Sequence, residues 1–128
     1  MAQESRGLTE ATLLAIHAQQ VERFGGAHGV LDQHVVQSTL TRPLQRWSND
    51  ETADLADFAA AYLVGFAQSQ GFNDGNKRTG LACALVFLAL NGAAVHVASG
   101  ELYAMTMAAA NNTAGNAQVA AYLRGRLP

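Results

Sequence analysis

The chain has 128 residues, of which 49% are hydrophobic and only 14% charged, and its formal net charge is -2. This length predicts a single domain over residues 1–128 that buries a sizeable core without disulfides. The near-neutral charge gives no reason to expect nucleic-acid or membrane-surface binding. The longest apolar run, residues 81–90, is far shorter than the ~20 residues of a membrane span. With a polar first segment and Cys83 as the one cysteine, we expect a cytoplasmic protein without a disulfide or zinc cluster.

The first half of the chain predicts three helices. Thr9 can cap a first helix that ends before a pair of glycines, and Asp32 can cap a second. The second helix is expected to end near Pro43, and the residues from there to Asp50 are predicted as a loop, because proline removes a helical hydrogen bond. Apolar residues at helical spacing over about residues 51–69 predict the third helix.

The second half of the chain predicts three more helices. Residues 76–90 are apolar on nearly every side and are closed by Asn91-Gly92, which is typical of the central helix of a bundle. Residues 94–97 are expected to be a short extended segment covering the core, and further helices are predicted over 99–111 and 116–127. The sequence therefore predicts an all-α fold of about six helices around an apolar central helix.

The most informative segment precedes the central helix and reads Gln70-Gly71-Phe72-Asn73-Asp74-Gly75-Asn76-Lys77-Arg78-Thr79-Gly80. Its glycines and Asn/Asp residues let the backbone turn sharply and expose its N–H groups. Lys77 and Arg78 fall in the first helical turn, where the helix dipole disfavours cations by ~0.3–1 kcal/mol each. Free N–H groups and cations together indicate a bound anion, most commonly phosphate. Arginine suits a bidentate grip, and lysine supplies a movable point charge.

Two interpretations of these residues stay open. Asp74 is a candidate magnesium ligand, because hard cations take carboxylate oxygens alongside substrate phosphates. It is equally a candidate helix cap. In the plainer interpretation Asp74 or Asn76 caps the helix, and Lys77 and Arg78 are merely solvated. The run of Asp, Gly, Asn, Lys and Arg directly ahead of an apolar helix favours the anion site.

The same residues closely resemble the signature of the Fic family, His-x-Phe-x-Asp/Glu-Gly/Ala-Asn-Lys/Gly-Arg. Phe72 and residues 74–78 all match it. Lys77, where the adenylylating branch has glycine, is similar to the Doc (death-on-curing) branch. The similarity extends to segments within residues 16–43 and to the helix end at Asn91-Gly92. The chain therefore resembles a Doc-type member of the Fic/Doc family.

The resemblance implies an all-helical Fic/Doc fold with ATP and magnesium at this loop. It also implies the toxin of a toxin–antitoxin module, which transfers the γ-phosphate of ATP to a threonine of elongation factor Tu and is silenced by a Phd-like antitoxin. Carried over, Asp74 binds magnesium and Phe72 anchors the loop in the core. The positions implied to bind the nucleotide are Gly75, Asn76, Lys77, Arg78 and Thr79. For Thr79, packing is the other interpretation.

Gln70 departs from the family pattern, because it stands where the family has its general-base histidine. A glutamine amide has no pKa near neutrality, and losing a positioned base typically costs ~10²–10⁴ in rate. Either the substitution is inactivating (the codons of His and Gln differ by one base), or it marks a natural branch. In a natural branch the chain either uses another base or is catalytically silent, as a non-catalytic nucleotide- or antitoxin-binding module. Nucleotidyl (AMP) transfer to a protein hydroxyl is the alternative reaction, which Lys77 disfavours by crowding the site.

Inhibition is expected to come from a separate protein. No Ser or Thr in the chain is followed four positions later by Glu and then Gly or Asn, the pattern of the family's own inhibitory helix. We therefore expect an antitoxin to supply the glutamate that meets Arg78. Among the histidines, which lack metal-type spacing, His17 lies on the first helix and is expected to be a hydrogen-bonded structural residue.

Overall fold

The computed structural model describes residues 7–49 and 51–128, and every regular element in that part of the chain is an α-helix. The helices are α1 (Glu10–Phe24), α2 (Gln33–Asn49), α3 (Leu55–Gln68), α4 (Asn76–Leu90), α5 (Ser99–Ala110) and α6 (Asn116–Arg124). An isolated antiparallel bridge joins Val30 to Phe72, and the described residues form no strand. The predicted all-α fold of about six helices is confirmed.

Local capping explains why the first two helices begin where the sequence predicts. The Thr9 hydroxyl accepts a hydrogen bond from the Thr12 N–H at 3.1 Å. The Asp32 carboxylate accepts from the N–H groups of His34 and Val35 at 3.1 and 3.2 Å. Each cap satisfies backbone donors that have no partner inside the helix. The bounds of α4 also agree with the prediction.

The loop predicted from Pro43 to Asp50 is wrong for residues 43–49, which continue α2; Asp50 lies outside the described residues. Proline inside a helix costs ~3 kcal/mol. However, the buried positions Val36, Leu40 and Pro43 follow one another at helical spacing. Burial of this stripe offsets the local cost, so the helix runs through the proline.

The third helix begins later than predicted, at Leu55 rather than near Glu51. Asp54 and Asp57 form a reciprocal capping box that fixes this start. The Asp57 N–H donates to Asp54 Oδ1 at 2.9 Å, and the Asp54 N–H donates to Asp57 Oδ2 at 3.0 Å. A capping box satisfies two unpaired donors at once, which outweighs the helical periodicity of the preceding residues.

The most central helix is α3, whereas the sequence analysis expected α4. Every residue of Ala56–Ala67 except Asp57 is buried, and α3 packs against α2, α4, α5 and α6. The backbones of α3 and α4 approach closely at Gly80, where a Cβ atom would lie 2.8 Å from the carbonyl oxygen of Leu63. Helix α4 is therefore hydrophobic on all sides because it contacts α1, α3 and α5, and not because it is the central helix of the bundle.

The remaining connections cover the core. Residues 93–98 form neither helix nor strand, and Val95 packs against the core from a half-buried position, as expected for a covering segment. The last helix ends at Arg124, before the predicted residue Leu127. Within the described residues, none of the helices combines the length and the hydrophobicity that crossing a membrane requires.

Candidate active site

The loop between α3 and α4 is closed by the side chain of Asn76. Its Oδ1 accepts from the N–H of Phe72 at 3.0 Å, and its Nδ2 donates to the carbonyl of Phe72 at 3.0 Å. Asn76 is 9% exposed and Phe72 is fully buried. These paired bonds satisfy backbone groups that water cannot reach. The side-chain amide of Asn76 therefore builds the loop, whereas its backbone N–H at the start of α4 stays available, as the predicted role of this position requires.

Phe72 anchors the loop as the sequence analysis expected. Its ring stacks on the imidazole of His17, with centroids 3.8 Å apart and planes 11° apart. His17 Nε2 also lies 2.7 Å from the carbonyl oxygen of Asp74. A carbonyl can only accept, so His17 carries its proton on Nε2 and donates it. His17 is thus a structural residue, as predicted, but its contact with this loop was not foreseen from the sequence.

The connection between α1 and α2 supports the loop from outside. The N–H of Asn73 donates to the carbonyl of Gly29 at 3.1 Å. The carbonyl of Gly71 accepts from the N–H groups of Leu31 and Asp32 at 2.9 and 3.0 Å. Residues 71–73 are therefore held on both sides, by helix α1 and by this connection, before any ligand binds.

Asp74 faces this connection and does not cap α4. Its Oδ2 accepts from the N–H of Ala27 at 2.7 Å, and a Cβ atom at Gly26 would lie 2.9 Å from its Cβ. The N-cap of α4 is Gly75, which has no side-chain capping bond. The interpretation of Asp74 or Asn76 as the helix cap is therefore wrong. In the described residues no second donor contacts the Asp74 carboxylate, so Oδ1 is available.

The donor set around Asp74 fits magnesium better than a metal held by protein alone. The described residues contain no group of three or more His, Cys, Asp or Glu side chains that could hold a metal ion. Magnesium keeps several waters and is typically bound through one or two carboxylates plus substrate phosphates. A single carboxylate with a free oxygen beside a phosphate site meets that requirement.

The start of α4 has the features of an anion site. Gly75 adopts a left-handed conformation with φ of 79°, which glycine tolerates without strain. The N–H groups of Asn76, Lys77 and Arg78 precede the first intrahelical bond, which runs from Thr79 N–H to Gly75 carbonyl at 2.9 Å. Within the described chain, Lys77 and Arg78 have no carboxylate within 4.0 Å. Unpaired cations beside free N–H groups favour a bound phosphate.

These groups share one cavity of about 370 Å³. Its polar side comes from the loop and the start of α4, and its apolar side comes from α3, α4 and α5. The lining residues are Ala67, Gln70, Asn73, Asp74, Gly75, Asn76, Lys77, Arg78, Leu81, Tyr103, Thr106 and Met107. Gln70 is exposed, and its side chain makes no hydrogen bond within the described residues. The structure thus brings together Gln70, Asp74, Lys77 and Arg78, which the sequence analysis had selected.

Thr79 is the predicted ligand that the structure does not bring to the cavity. Its side chain is fully buried and is not part of the lining. Its hydroxyl has no hydrogen-bond partner in the described residues. The role implied for it in nucleotide binding is therefore wrong, and the packing interpretation is the one that fits. The sequence indicates this packing through helical periodicity, because Thr79, Cys83 and Phe87 lie on one buried face of α4.

The geometry defines a helical domain with free N–H groups and two cations at the start of one helix, beside a cavity, and the comparisons identify its family. A model of the Fic/DOC family matches residues 7–88. The chain is 37% identical to "Protein kinase doc" of Escherichia phage P1 over 119 residues, which cover 93% of this chain and 94% of that protein. It is 39% identical to "Toxin Doc" of Mycolicibacterium smegmatis over 70 residues, or 54% of each. The chain belongs to the Fic/DOC family, in its Doc branch.

Proposed function

We propose that this chain is the toxin of a toxin–antitoxin module and that its histidine form transfers the γ-phosphate of ATP to a hydroxyl of elongation factor Tu. The observation that carries the proposal is the uncapped start of α4. There Lys77 and Arg78 face a cavity without any carboxylate partner in the described residues. The names of the two relatives, a kinase and a toxin, support this proposal. Action on a translation factor places the chain in the cytoplasm.

Each residue of the site has a part in the proposed transfer. The N–H groups at the start of α4 and the Lys77 ammonium bind the phosphate chain. Arg78 binds it through a planar fork of donors and stabilises the charge that develops on the transferred group. Asp74 would hold magnesium, which would supply positive charge against the phosphate groups. Gln70 lines the same cavity, so position 70 is the one from which the substrate hydroxyl would be deprotonated.

Gln70 leaves this machinery without a base. The family histidine takes the proton of the attacking hydroxyl, whereas an amide has no basic nitrogen near neutral pH. We therefore expect the chain as given to bind ATP and magnesium but to transfer phosphate ~10²–10⁴-fold more slowly than its histidine form. An inactivated toxin and a naturally silent relative both have this property.

The test compares the chain as given, its Gln70→His variant and a Gln70→Asn control on purified elongation factor Tu. Asparagine keeps an amide and supplies no base. ATP labelled at the γ- or α-phosphate distinguishes the reactions. Transfer of the γ label by the histidine variant alone is the expected result. Transfer of the α label assigns the chain to nucleotidyl transfer instead.

The second candidate function is a non-catalytic nucleotide- or antitoxin-binding module, and Gln70 itself is the observation that favours it. This candidate predicts tight ATP binding with no transfer of either label even by Gln70→His. Absence of both binding and transfer would refute the ATP-dependent functions together.

We further propose that the antitoxin inhibits by placing a glutamate against Arg78. The guanidinium of Arg78 has no carboxylate partner within the described part of the chain, so an incoming glutamate finds an unpaired cation. Co-expression of the histidine form with the antitoxin encoded beside it should restore growth. Replacing the antitoxin's glutamate by glutamine should abolish that protection. Full toxicity despite the intact antitoxin would contradict the proposal.

A further inference from the structure

An exposed aromatic ring lies directly behind one of the cavity cations. Phe24 is the last residue of α1 and is 50% exposed. The guanidinium carbon of Arg78 lies over this ring, 4.6 Å from its centroid. Arg23 approaches the same ring at 5.5 Å, but it does not line the cavity. Of these two cations, Arg78 is the one that links Phe24 to the cavity.

The backbone after Phe24 is fixed relative to the phosphate site. The N–H of Gly25 closes α1 on the carbonyl of Val21 at 2.7 Å. Two residues further on, the N–H of Ala27 donates to the Asp74 carboxylate at 2.7 Å. The ring is thus attached, through a short segment bound at both ends, to the loop that precedes Arg78.

The contact leaves the hydrogen-bonding capacity of Arg78 intact. A cation–π contact uses the face of the ring, and phenylalanine has no oxygen to take up the guanidinium donors. In the described chain, no carboxylate or carbonyl competes for them. Lys77 differs, because no aromatic ring or carboxylate contacts it in the same part of the chain.

We propose that Phe24 is a positioning residue that holds the Arg78 guanidinium at the edge of the cavity, ready for the phosphate groups of the nucleotide. This inference rests on the proposed nucleotide-binding function. A long arginine side chain otherwise loses rotamer freedom when it binds its ligand, which weakens binding. The ring restricts that freedom in advance and does so without the carboxylate that would compete with phosphate.

The first readout is affinity, measured by calorimetry on the chain as given, with magnesium-ATP and with inorganic triphosphate as separate ligands. Phe24→Leu keeps an apolar side chain but removes the π face. It should raise the Kd for both ligands about two- to fivefold, the range expected from a cation–π contact at an exposed site. Phe24→Tyr keeps the ring and should restore the parent affinity. Leu90→Ala, a change at a similarly exposed apolar residue at the other end of α4, should leave both affinities unchanged.

The second readout is the NMR resonance of the Arg78 Nε–H group, which does not depend on any ligand. The aromatic ring current should shift it in the parent and in Phe24→Tyr but not in Phe24→Leu. Unchanged or tighter binding by Phe24→Leu would overturn the proposal. Failure of the parent to bind either ligand would refute the proposed nucleotide function. In that case, loss of the Arg78 Nε–H shift in Phe24→Leu would still support the positioning of Arg78 by Phe24, and persistence of the shift in that variant would overturn it.

Discussion

The side chain of Asn76 should contribute more to the free energy of unfolding than its position in a ligand-binding motif suggests. Asn76→Ala removes both hydrogen bonds to the backbone of Phe72, which is fully buried. A buried backbone group left unpaired costs ~1–3 kcal/mol, and the N–H costs more than the carbonyl. We therefore expect the free energy of unfolding to fall by about 2–4 kcal/mol, with a drop in Tm of about 10 °C.

Urea unfolding followed by circular dichroism measures this loss, and Asn73→Ala is the matched control. Asn73 lies in the same loop, but its side chain makes a single exposed hydrogen bond, to the carbonyl of His28 at 3.0 Å. Its removal should cost only ~0.5–1.5 kcal/mol. If the two variants lost equal stability, the closed loop would not depend on Asn76, and the distinction drawn between structural and ligand-facing residues would fail.

Two further substitutions test the surroundings of the site and the acid stability of the fold. Gly26→Ala places a Cβ atom at 2.9 Å from that of Asp74 and should weaken magnesium-dependent ATP binding. Gly25→Ala is its control, because Gly25 also has a positive φ but a Cβ atom added there would meet nothing within 4 Å. Calorimetry should therefore show weaker magnesium-dependent ATP binding in Gly26→Ala only. The hydrogen bond from Arg124 lowers the pKa of Asp54 from 3.8 to about 2, so the stability from this pair is present above pH 3.8 and is lost as pH falls towards 2. Urea unfolding should therefore show Arg124→Gln to be less stable than the parent at pH 6 but not at pH 2, and an equal difference at both pH values would contradict this pKa shift.

The sequence predicts helix boundaries well wherever they depend on local chemistry. Thr9 and Asp32 cap their helices through side-chain bonds to residues two or three positions away, and that spacing can be read directly. The end of α2 could not be predicted in this way, because the proline rule is local and the burial of Pro43 is not. The central place of α3 also depends on packing between distant segments, which hydrophobic periodicity does not specify.

The candidate site shows the same difference between what the local sequence specifies and what only the folded structure shows. The family motif names the residues of the loop, but it does not separate those that build the loop from those that face the cavity. The side chains of Asn76 and Phe72 build the loop through the bonds that join these two residues, although Asn76 also lines the cavity, whereas the Lys77 and Arg78 side chains face the cavity. The sequence predicts a structural role for His17 but not its contacts with the loop, because these are with residues more than fifty positions away in the chain.

This division explains why the residue at position 70 can change without a change in the fold. Gln70 lines the cavity, is exposed and makes no side-chain hydrogen bond in the described residues, so nothing in the loop depends on its identity. The hydrogen bonds that shape the loop instead join the Asn76 side chain to the backbone of Phe72. We therefore expect Gln70→His to leave the free energy of unfolding within ~0.5 kcal/mol of the parent, as for a surface substitution. A larger change in urea unfolding would show that the base and the loop structure are coupled.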